Sequence, residues 1–397
     1  MGRAPIALTY AAFVLVGVNA GVNGALLAAQ MDDYAVSRTT LGLTFFAGSA
    51  GFVLASLNAG ALVHRFGIRL AAATGGIVYV LTALYAGTRP AFIAFVVLQI
   101  ASGYAVGILE SVLNAYLSDL PNATTLLNRL HGFFGIGALL GPPVATRIIA
   151  DASWPAVMLV LGAVAIPLTA GFLIVYPRTG SGPAMVKPSS GGLARVALRQ
   201  PAVLLGAALL AVYVGLELGM GNWSFGYLVE ERHQTEIFAG YAVSGYWFGL
   251  TAGRFLLSPI VTRLGLTAVG LMHICLAGVT VVTALTWILP GKAAATAGLM
   301  LLGFFLGPIF PTAMALAPRM TTTRLVPSAI GIMNAGSVVG GSALPWLAGA
   351  IAESAGMWTL LPFTLVLGLL QHVIWWPMAR RVGTEPQSRS SDSAAHA

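Results

Sequence analysis

The chemistry of this chain starts from two acids, Glu110 and Glu217, each set in a run of otherwise apolar and small residues. The runs are Gly107-Ile108-Leu109-Glu110-Ser111-Val112-Leu113-Asn114 and Tyr213-Val214-Gly215-Leu216-Glu217-Leu218-Gly219. A charge at the centre of a bilayer costs about 2.5–3.5 kcal/mol on insertion scales, so such residues face a cavity or a partner. A carboxyl group so placed can take a proton from one side and give it to the other, or hold a polar solute by hydrogen bonds. A structural hydrogen bond to a polar neighbour is the plainer alternative for Glu110.

Spacing gives both acids company. Glu110 and Asn114 are four residues apart and share a helix face. Gly103 and Gly107 fall on the same broad face, where close helix packing is the plainer role. Tyr213, Gly221 and Ser224 share the face of Glu217, and Trp223 could stack on a pyranose ring or anchor the helix at the interface. Asn19 and Asn23, four apart, each offer a donor and an acceptor to hydroxyl groups or to a neighbouring helix. Gln99 and Asn334 are further polar candidates inside apolar runs. His131, beside Arg129, reads as a helix-end residue or as a gate element sensitive to pH.

These residues must be held by membrane helices. Of 397 residues, 57% are hydrophobic and 8% charged, against about 25% charged in a soluble domain. Apolar runs of about 20 residues recur along the chain, long enough to cross ~30 Å of hydrocarbon as helix. The short alternating segments of a barrel are absent. Twelve spans are predicted, at roughly 6–29, 40–63, 70–88, 91–117, 128–149, 155–176, 203–229, 236–261, 268–289, 293–316, 326–351 and 357–378. The fold class is therefore all-α membrane protein, two six-helix halves at 1–176 and 201–381. A polar linker at 177–200 carries Arg178, Lys187, Arg195 and Arg199, and a Ser-rich tail at 382–397 reads as disordered. The first run lacks a small-residue cleavage site and reads as a retained helix.

The net charge of +8 resides in short connections, the footprint of membrane orientation and not of a nucleic-acid surface. With the N-terminus inside, the inner side holds the four linker cations and Arg3, Arg65, Arg69, Arg129, Arg263, Arg319, Arg324, Arg380, Arg381 and Arg389. The outer side holds Arg38, Arg89, Arg147, Arg232 and Lys292. Both termini and the linker are therefore expected in the cytoplasm, with the chain in the plasma membrane. The halves repeat each other: Val16-Gly17-Val18-Asn19-Ala20-Gly21 aligns with Val214 to Gly219, Arg65-Phe66-Gly67-Ile68 with Arg263-Leu264-Gly265-Leu266, Gly103 and Gly107 with Gly303 and Gly307, and Gly141 with Gly341. Parallel repeats imply a pseudo-two-fold along the membrane normal, with solute bound between the halves near the midplane.

This arrangement resembles the major facilitator superfamily over nearly the whole chain. Gly60-Ala61-Leu62-Val63-His64-Arg65-Phe66-Gly67-Ile68-Arg69 resembles that family's Gly-x-x-x-Asp-Arg-x-Gly-Arg loop, with His64 where Asp is usual. Gly253-Arg254 through Arg263-Leu264-Gly265 resembles its second, degenerate copy. The resemblance implies a gating role for Arg65 and Arg254. Gly107-x-x-Glu110-x-x-x-Asn114 and Tyr213-x-Gly215-x-Glu217-x-x-x-Gly221-Asn222-Trp223 resemble the fucose-permease-like sugar/proton symporters. That likeness implies proton coupling through Glu110 and places Asn222 among the solute contacts. Gly137-Ala138-Leu139-Leu140-Gly141-Pro142-Pro143 partly resembles a motif of proton-coupled drug exporters, though a hinge or packing role explains it first.

Other classes find no support. No phosphate-cradling loop ending in Lys-Ser/Thr is present, so ATP is not the energy source. No Cys/His cluster suggests a metal, and the single Cys275 forbids an intrachain disulfide. No enzyme constellation and no cofactor are expected. The expected function is proton-coupled uptake of a small polar solute, a sugar above all, by a monomer in the bilayer. A proton-coupled exporter of drugs or metabolites is the alternative, and a non-transporting receptor on the same fold is a third.

Overall fold

A computed structural model describes residues 3–177, 191–265 and 267–383. Arg178, Lys187 and the tail from 384 onward, which the sequence assigns to linker and tail, lie outside the described residues. The first half comprises α1 (Arg3–Tyr34), α2 (Arg38–Leu41), α3 (Leu43–Ala86), α4 (Phe92–Ser118), α5 (Ala123–Asp151) and α6 (Trp154–Val175). A short α7 (Gly191–Ala197) precedes the second half. That half is built from α8 (Pro201–Gly226), α9 (Glu236–Arg263), α10 (Ala268–Ile288), α11 (Lys292–Leu306), α12 (Ile309–Leu316), α13 (Val326–Ala355) and α14 (Leu360–Gly383). Among the described residues, ten helices are long and apolar enough to cross a membrane. The twelve spans are reached because α3 contains two of them and because α9 joins the bundle although Arg254, Ser, Thr and ring residues dilute its hydropathy.

The helix boundaries depart from the sequence expectation at informative places. The predicted second and third spans are one 44-residue element interrupted only at Gly67, whose φ of 78° reverses the chain without a loop. Its repeat partner, Gly265, has φ 71°. The aligned sequences thus share one backbone device: a left-handed residue that only glycine occupies without strain. Substituting Gly67 by Ala is expected to cost about 1 kcal/mol, read as a lower melting temperature of the purified protein. The predicted tenth span is instead split into α11 and α12, because Pro308 cannot continue the helical ladder. The last turn of the seventh span widens to a π-helix at Tyr227–Glu231. Part of the predicted polar linker, α7, is helical.

The pairing inside each half rests on glycine. A Cβ atom added at Gly17 would collide with the backbone oxygen of Phe134, and one added at Gly137 with that of Val14. So α1 and α5 touch backbone to backbone. In the second half α8 and α13 repeat this, with Gly340 against the Ala211 backbone oxygen. Likewise α3 meets α4 where Gly103 lies on the Gly48 oxygen, and α9 meets α11 where Gly303 lies on the Tyr246 oxygen. Without a hydrophobic drive between helices in lipid, such close approach supplies the association. Gly303→Leu is expected to prevent assembly of the second half, seen as loss of monodisperse protein on size exclusion.

The halves meet along three seams, one of them α1 against α8, where Gly24 lies on the backbone oxygens of Gly221 and Asn222. Along α5 and α9, Gly135 lies against Thr251 and Gly240 against Thr146, and the Ser244 hydroxyl donates to Leu139 O at 2.7 Å. The third seam runs where α2 and the start of α3 meet α13 and the end of α8. The bundle has two ends: the termini end bears the start of α1 and the end of α14, and the far end is its opposite.

Candidate transport site

Glu110 sits on α4, about 12 Å from that helix's termini end at 1.5 Å per residue. It is enclosed by neighbouring helices yet keeps an accessible face. Asn114 does not engage its carboxyl group: the Asn114 amide donates to the backbone oxygen of Glu110 at 2.8 Å. Among the described residues, the ion pairs are Arg38–Glu230, Arg89–Asp33 and Arg147–Asp151, and none includes Glu110. A carboxylate inside a membrane bundle without a cation is costly to keep ionised. Its position therefore suits a group that exchanges a proton.

Glu217 lies midway along α8 and has a different environment. The charge of Arg254, on α9, reaches Glu217 and Tyr213 in the same half. It also reaches His131 on α5 of the other half. Arg254 is fixed by its Nε, which donates to Gly307 O at 3.3 Å across the α9–α11 contact. Tyr246 donates from its hydroxyl to the Glu217 backbone oxygen at 2.9 Å. The Tyr213 hydroxyl is wholly buried beside the Glu217 carboxyl group, short of good hydrogen-bond geometry. An acid, a phenol and a guanidinium are thus gathered in one half, with His131 exposed on the other. The carboxyl group, guanidinium and imidazole together present acceptors and donors, while the Tyr213 phenol is shut away from solvent, against the expectation that it contacts solute.

The remaining candidates are spread over both halves. Asn19 accepts from the Tyr79 hydroxyl at 3.0 Å, leaving its amide NH2 available, and Asn23 is exposed one turn on. Gln99 bonds its own helix, donating to Phe95 O at 3.4 Å. Asn222 is buried, and Trp223 is packed in the α8–α13 contact, its indole N–H donating to Pro345 O at 2.8 Å. Asn334 is exposed on α13. Arg65 is exposed, with its guanidinium 5.2 Å from the Phe66 ring centroid. Gly103 and Gly107 pack against α3, in keeping with their plainer reading. Gly137 and Gly141 likewise pack against α1, so the exporter-like stretch serves helix contact. Sequence reasoning missed Tyr79, Tyr246 and the Tyr104–Asn58 hydrogen bond of 3.1 Å. Their signal was a tyrosine inside an apolar run.

The far end is shut by a latch between the halves. Arg38 Nη2 donates to both oxygens of Glu230, at 2.6 and 2.5 Å. Glu353 Oε2 accepts from the Thr39 N–H and hydroxyl, each at 2.9 Å. The Trp346 indole donates to Thr39 O at 3.1 Å, and its ring meets Phe46 edge-on. Ser37 caps α2, accepting from Thr40 N, and so presents Arg38 and Thr39 together. Among the described residues, the hydrogen bonds joining the halves are those of this latch and the Ser244–Leu139 bond, which lies near the middle of α5.

Twelve spans in two repeated halves, with polar side chains gathered inside and a latch between the halves, define a multi-pass membrane carrier. The model of the Major Facilitator Superfamily matches residues 8–230 and 207–396, and the chain belongs to that family. It is accordingly a secondary transporter of a small molecule and not an enzyme. Its curated relatives include Bypass of stop codon protein 6 of Saccharomyces cerevisiae, 26% identical over 387 residues, covering 87% of this chain and 76% of that one. A glucose/galactose transporter of Brucella abortus is 24% identical over 370 residues, covering 87% of each. Among solved structures, a bacterial homologue of the human lysosomal transporter Spinster, inward-facing and unoccupied, superposes with TM-score 0.77 at 12% identity, over 96% of this chain and 97% of that one. A point mutant of the nucleoside transporter NupG gives TM-score 0.79 at 12% identity, over 96% and 100%. These two share the fold.

Proposed function

We propose that this chain is a proton-coupled symporter for a small polar solute, a sugar, working by alternating access in the plasma membrane with both termini cytoplasmic. The observation that carries this reading is the division of labour between the halves. The first half holds a carboxyl group, Glu110, without a cationic partner. The second holds an acid, Glu217, that among the described residues forms no ion pair either but lies in the field of Arg254, beside two buried tyrosines. Glu110 is then the proton-exchanging group, and Glu217 and Arg254 hold the solute, with Asn19 and Asn23 contributing from the first half, while Tyr213 is buried behind Glu217. The proposed solute class draws support from the Brucella relative, whose name gives glucose and galactose. The excess of arginine at the termini end supports that end as cytoplasmic. On this orientation the latch closes the outside, and the molecule is inward-facing.

The test is uptake by proteoliposomes with an imposed pH gradient, acid outside. Radiolabelled glucose and galactose should accumulate inside, and the accumulation should collapse with a protonophore. Uptake that ignores the gradient, or efflux driven by it, would overturn the symport reading. Arg254→Gln is expected to raise the apparent KM for the solute about tenfold or more, measured in the same vesicles, because the solute loses a charged donor and Glu217 the nearby positive charge.

A further inference from the structure

One buried polar group takes no part in the latch or in the group around the two acids. Trp247 lies on α9 with 3% of its surface exposed, and among the described residues its indole N–H has no hydrogen-bond partner. Trp223, Trp154 and Trp346 each donate theirs, to Pro345 O, the Asp33 carboxylate and Thr39 O. Trp375 also lacks a partner, but it lies edge-on to His273 inside the second half, where α14 packs on α8 and α10. A buried N–H without an acceptor is costly to keep, so such a group asks for a partner in some other state of the molecule.

The surroundings of Trp247 supply that state. It stands between Ser244, which donates to Leu139 O of α5, and Thr251, which lies against Gly135 of α5, so it is on the face of α9 toward the first half. Its ring rests on α8 at Gly221, where an added Cβ would come within 2.7 Å of indole Cζ2. The same turn of α8 is covered by α1 of the first half: a Cβ on Gly24 would stand 3.1 Å from Gly221 O and 3.3 Å from Asn222 O. The indole therefore sits where the halves meet. Glu217 precedes Gly221 by one turn of α8, and Arg254 follows Trp247 by two turns of α9, about 10 Å. Trp247 thus roofs the Glu217–Arg254 group on the side of the far end.

We propose that Trp247 is a solute-contacting residue of the state open at the far end, its indole N–H donating to a hydroxyl or ring oxygen of the solute. This role rests on the chain being a carrier of a hydroxyl-bearing solute. When the halves part at the far end, α1 and α5 leave α8 and α9 there, and the side of Trp247 toward the first half is uncovered. The indole offers a donor and no acceptor, together with a flat apolar face for the C–H side of a sugar ring. Solute arriving from the far end meets it before it reaches Glu217 and Arg254. A site with a fixed donor rejects an analogue lacking the matching oxygen far more strongly than a purely apolar pocket rejects one of altered size. Trp247 is accordingly a determinant of specificity as well as of affinity.

The experiment has two arms, both on the full chain. The first measures galactose entry into proteoliposomes, with its monodeoxy derivatives as competitors, for the wild type and for Trp247→Phe, which keeps an aromatic ring and removes the N–H. The substitution should raise the KM for galactose about tenfold at a melting temperature close to that of the wild type. One deoxy position should carry a penalty of about tenfold in the wild type that disappears in the variant, with the penalties at other positions retained. An unchanged KM, or a pattern of penalties that the variant leaves unaltered, would overturn the proposal. The second arm needs no solute and no substitution at Trp247. Oxidation of Trp247 by hydroxyl radicals, read by mass spectrometry, should rise severalfold in Glu230→Gln, Glu353→Gln molecules, whose latch is broken. Trp223, equally buried but held between α8 and α13 of one half, should not change. A Trp247 that stays protected in molecules whose far end is open, by distance measurement across it, would likewise overturn the proposal. Failure of the wild type to take up or exchange galactose would instead overturn the sugar reading, and the footprint then decides for Trp247.

Discussion

Glu110→Gln is expected to abolish accumulation of solute against its gradient while leaving exchange across the membrane intact. Glutamine keeps the size and one acceptor oxygen of the side chain but carries no exchangeable charge. One pH unit is worth about 1.4 kcal/mol per proton. For one proton per solute this sustains roughly tenfold accumulation at equilibrium. The variant should show a ratio near one under the same gradient, with counterflow rates within a few-fold of wild type. A conserved tenfold ratio would remove Glu110 from the coupling step. The contrast with Glu217→Gln matters here. That change touches the Arg254 and Tyr213 group, so it should weaken solute binding in counterflow as well as in driven uptake.

Breaking the far-end latch should move the molecule toward its opposite conformation. The Arg38–Glu230 pair is partly exposed, and such pairs contribute about 0.5–1 kcal/mol. The two charged hydrogen bonds to Glu353 add about 1.5 kcal/mol. Glu230→Gln with Glu353→Gln therefore removes roughly 2 kcal/mol from the closed far end, a shift of about 30-fold in the ratio of states. Spin labels at Thr88 and Trp358, both exposed at the far end of opposite halves, report the distance across it once Cys275 is replaced by Ser. The double variant should show a longer distance population that the wild type lacks. High salt should produce a weaker version of the same change, because exposed charge pairs are screened. An unchanged distance distribution would mean that packing of Trp346 and Phe46 alone holds this end.

Much of this was legible in the chain because membrane helices obey few rules. Length, hydropathy and arginine placement yielded twelve spans, and the repeat between Gly67 and Gly265 returns as a shared left-handed turn. The glycine pairs Gly103/Gly107 and Gly303/Gly307 were readable as packing surfaces. The environment of the two acids was not. Glu217 and Arg254 lie on successive helices, α8 and α9, and nothing in the spacing makes one answer the other. The latch was hidden for a stronger reason. Arg38 and Glu230 are 192 positions apart, Thr39 and Glu353 314 apart, and each reads alone as an ordinary loop charge. Trp223 shows the limit of residue type as evidence, since an aromatic ring near polar residues can equally fill a helix contact, as its bond to Pro345 illustrates.

The threonines on the α5–α9 seam bear on how the halves travel. Thr146 gives its hydroxyl to Pro142 O of its own helix at 3.0 Å, and Thr251 to Trp247 O of its own at 3.0 Å. Each sets that hydroxyl oxygen, already bonded to its own helix, and its methyl group against the glycine of the other half. Displacing one helix along the other at these points breaks no polar contact, and Ser244 with Leu139 O is the sole hydrogen bond between α5 and α9 among the described residues. The helix pairs within a half, by contrast, are interlocked at the main chain. Among the described residues the α5–α9 seam is thus tied across by one serine hydroxyl, whereas the far end carries the contacts of Arg38 with Glu230 and of Thr39 with Glu353.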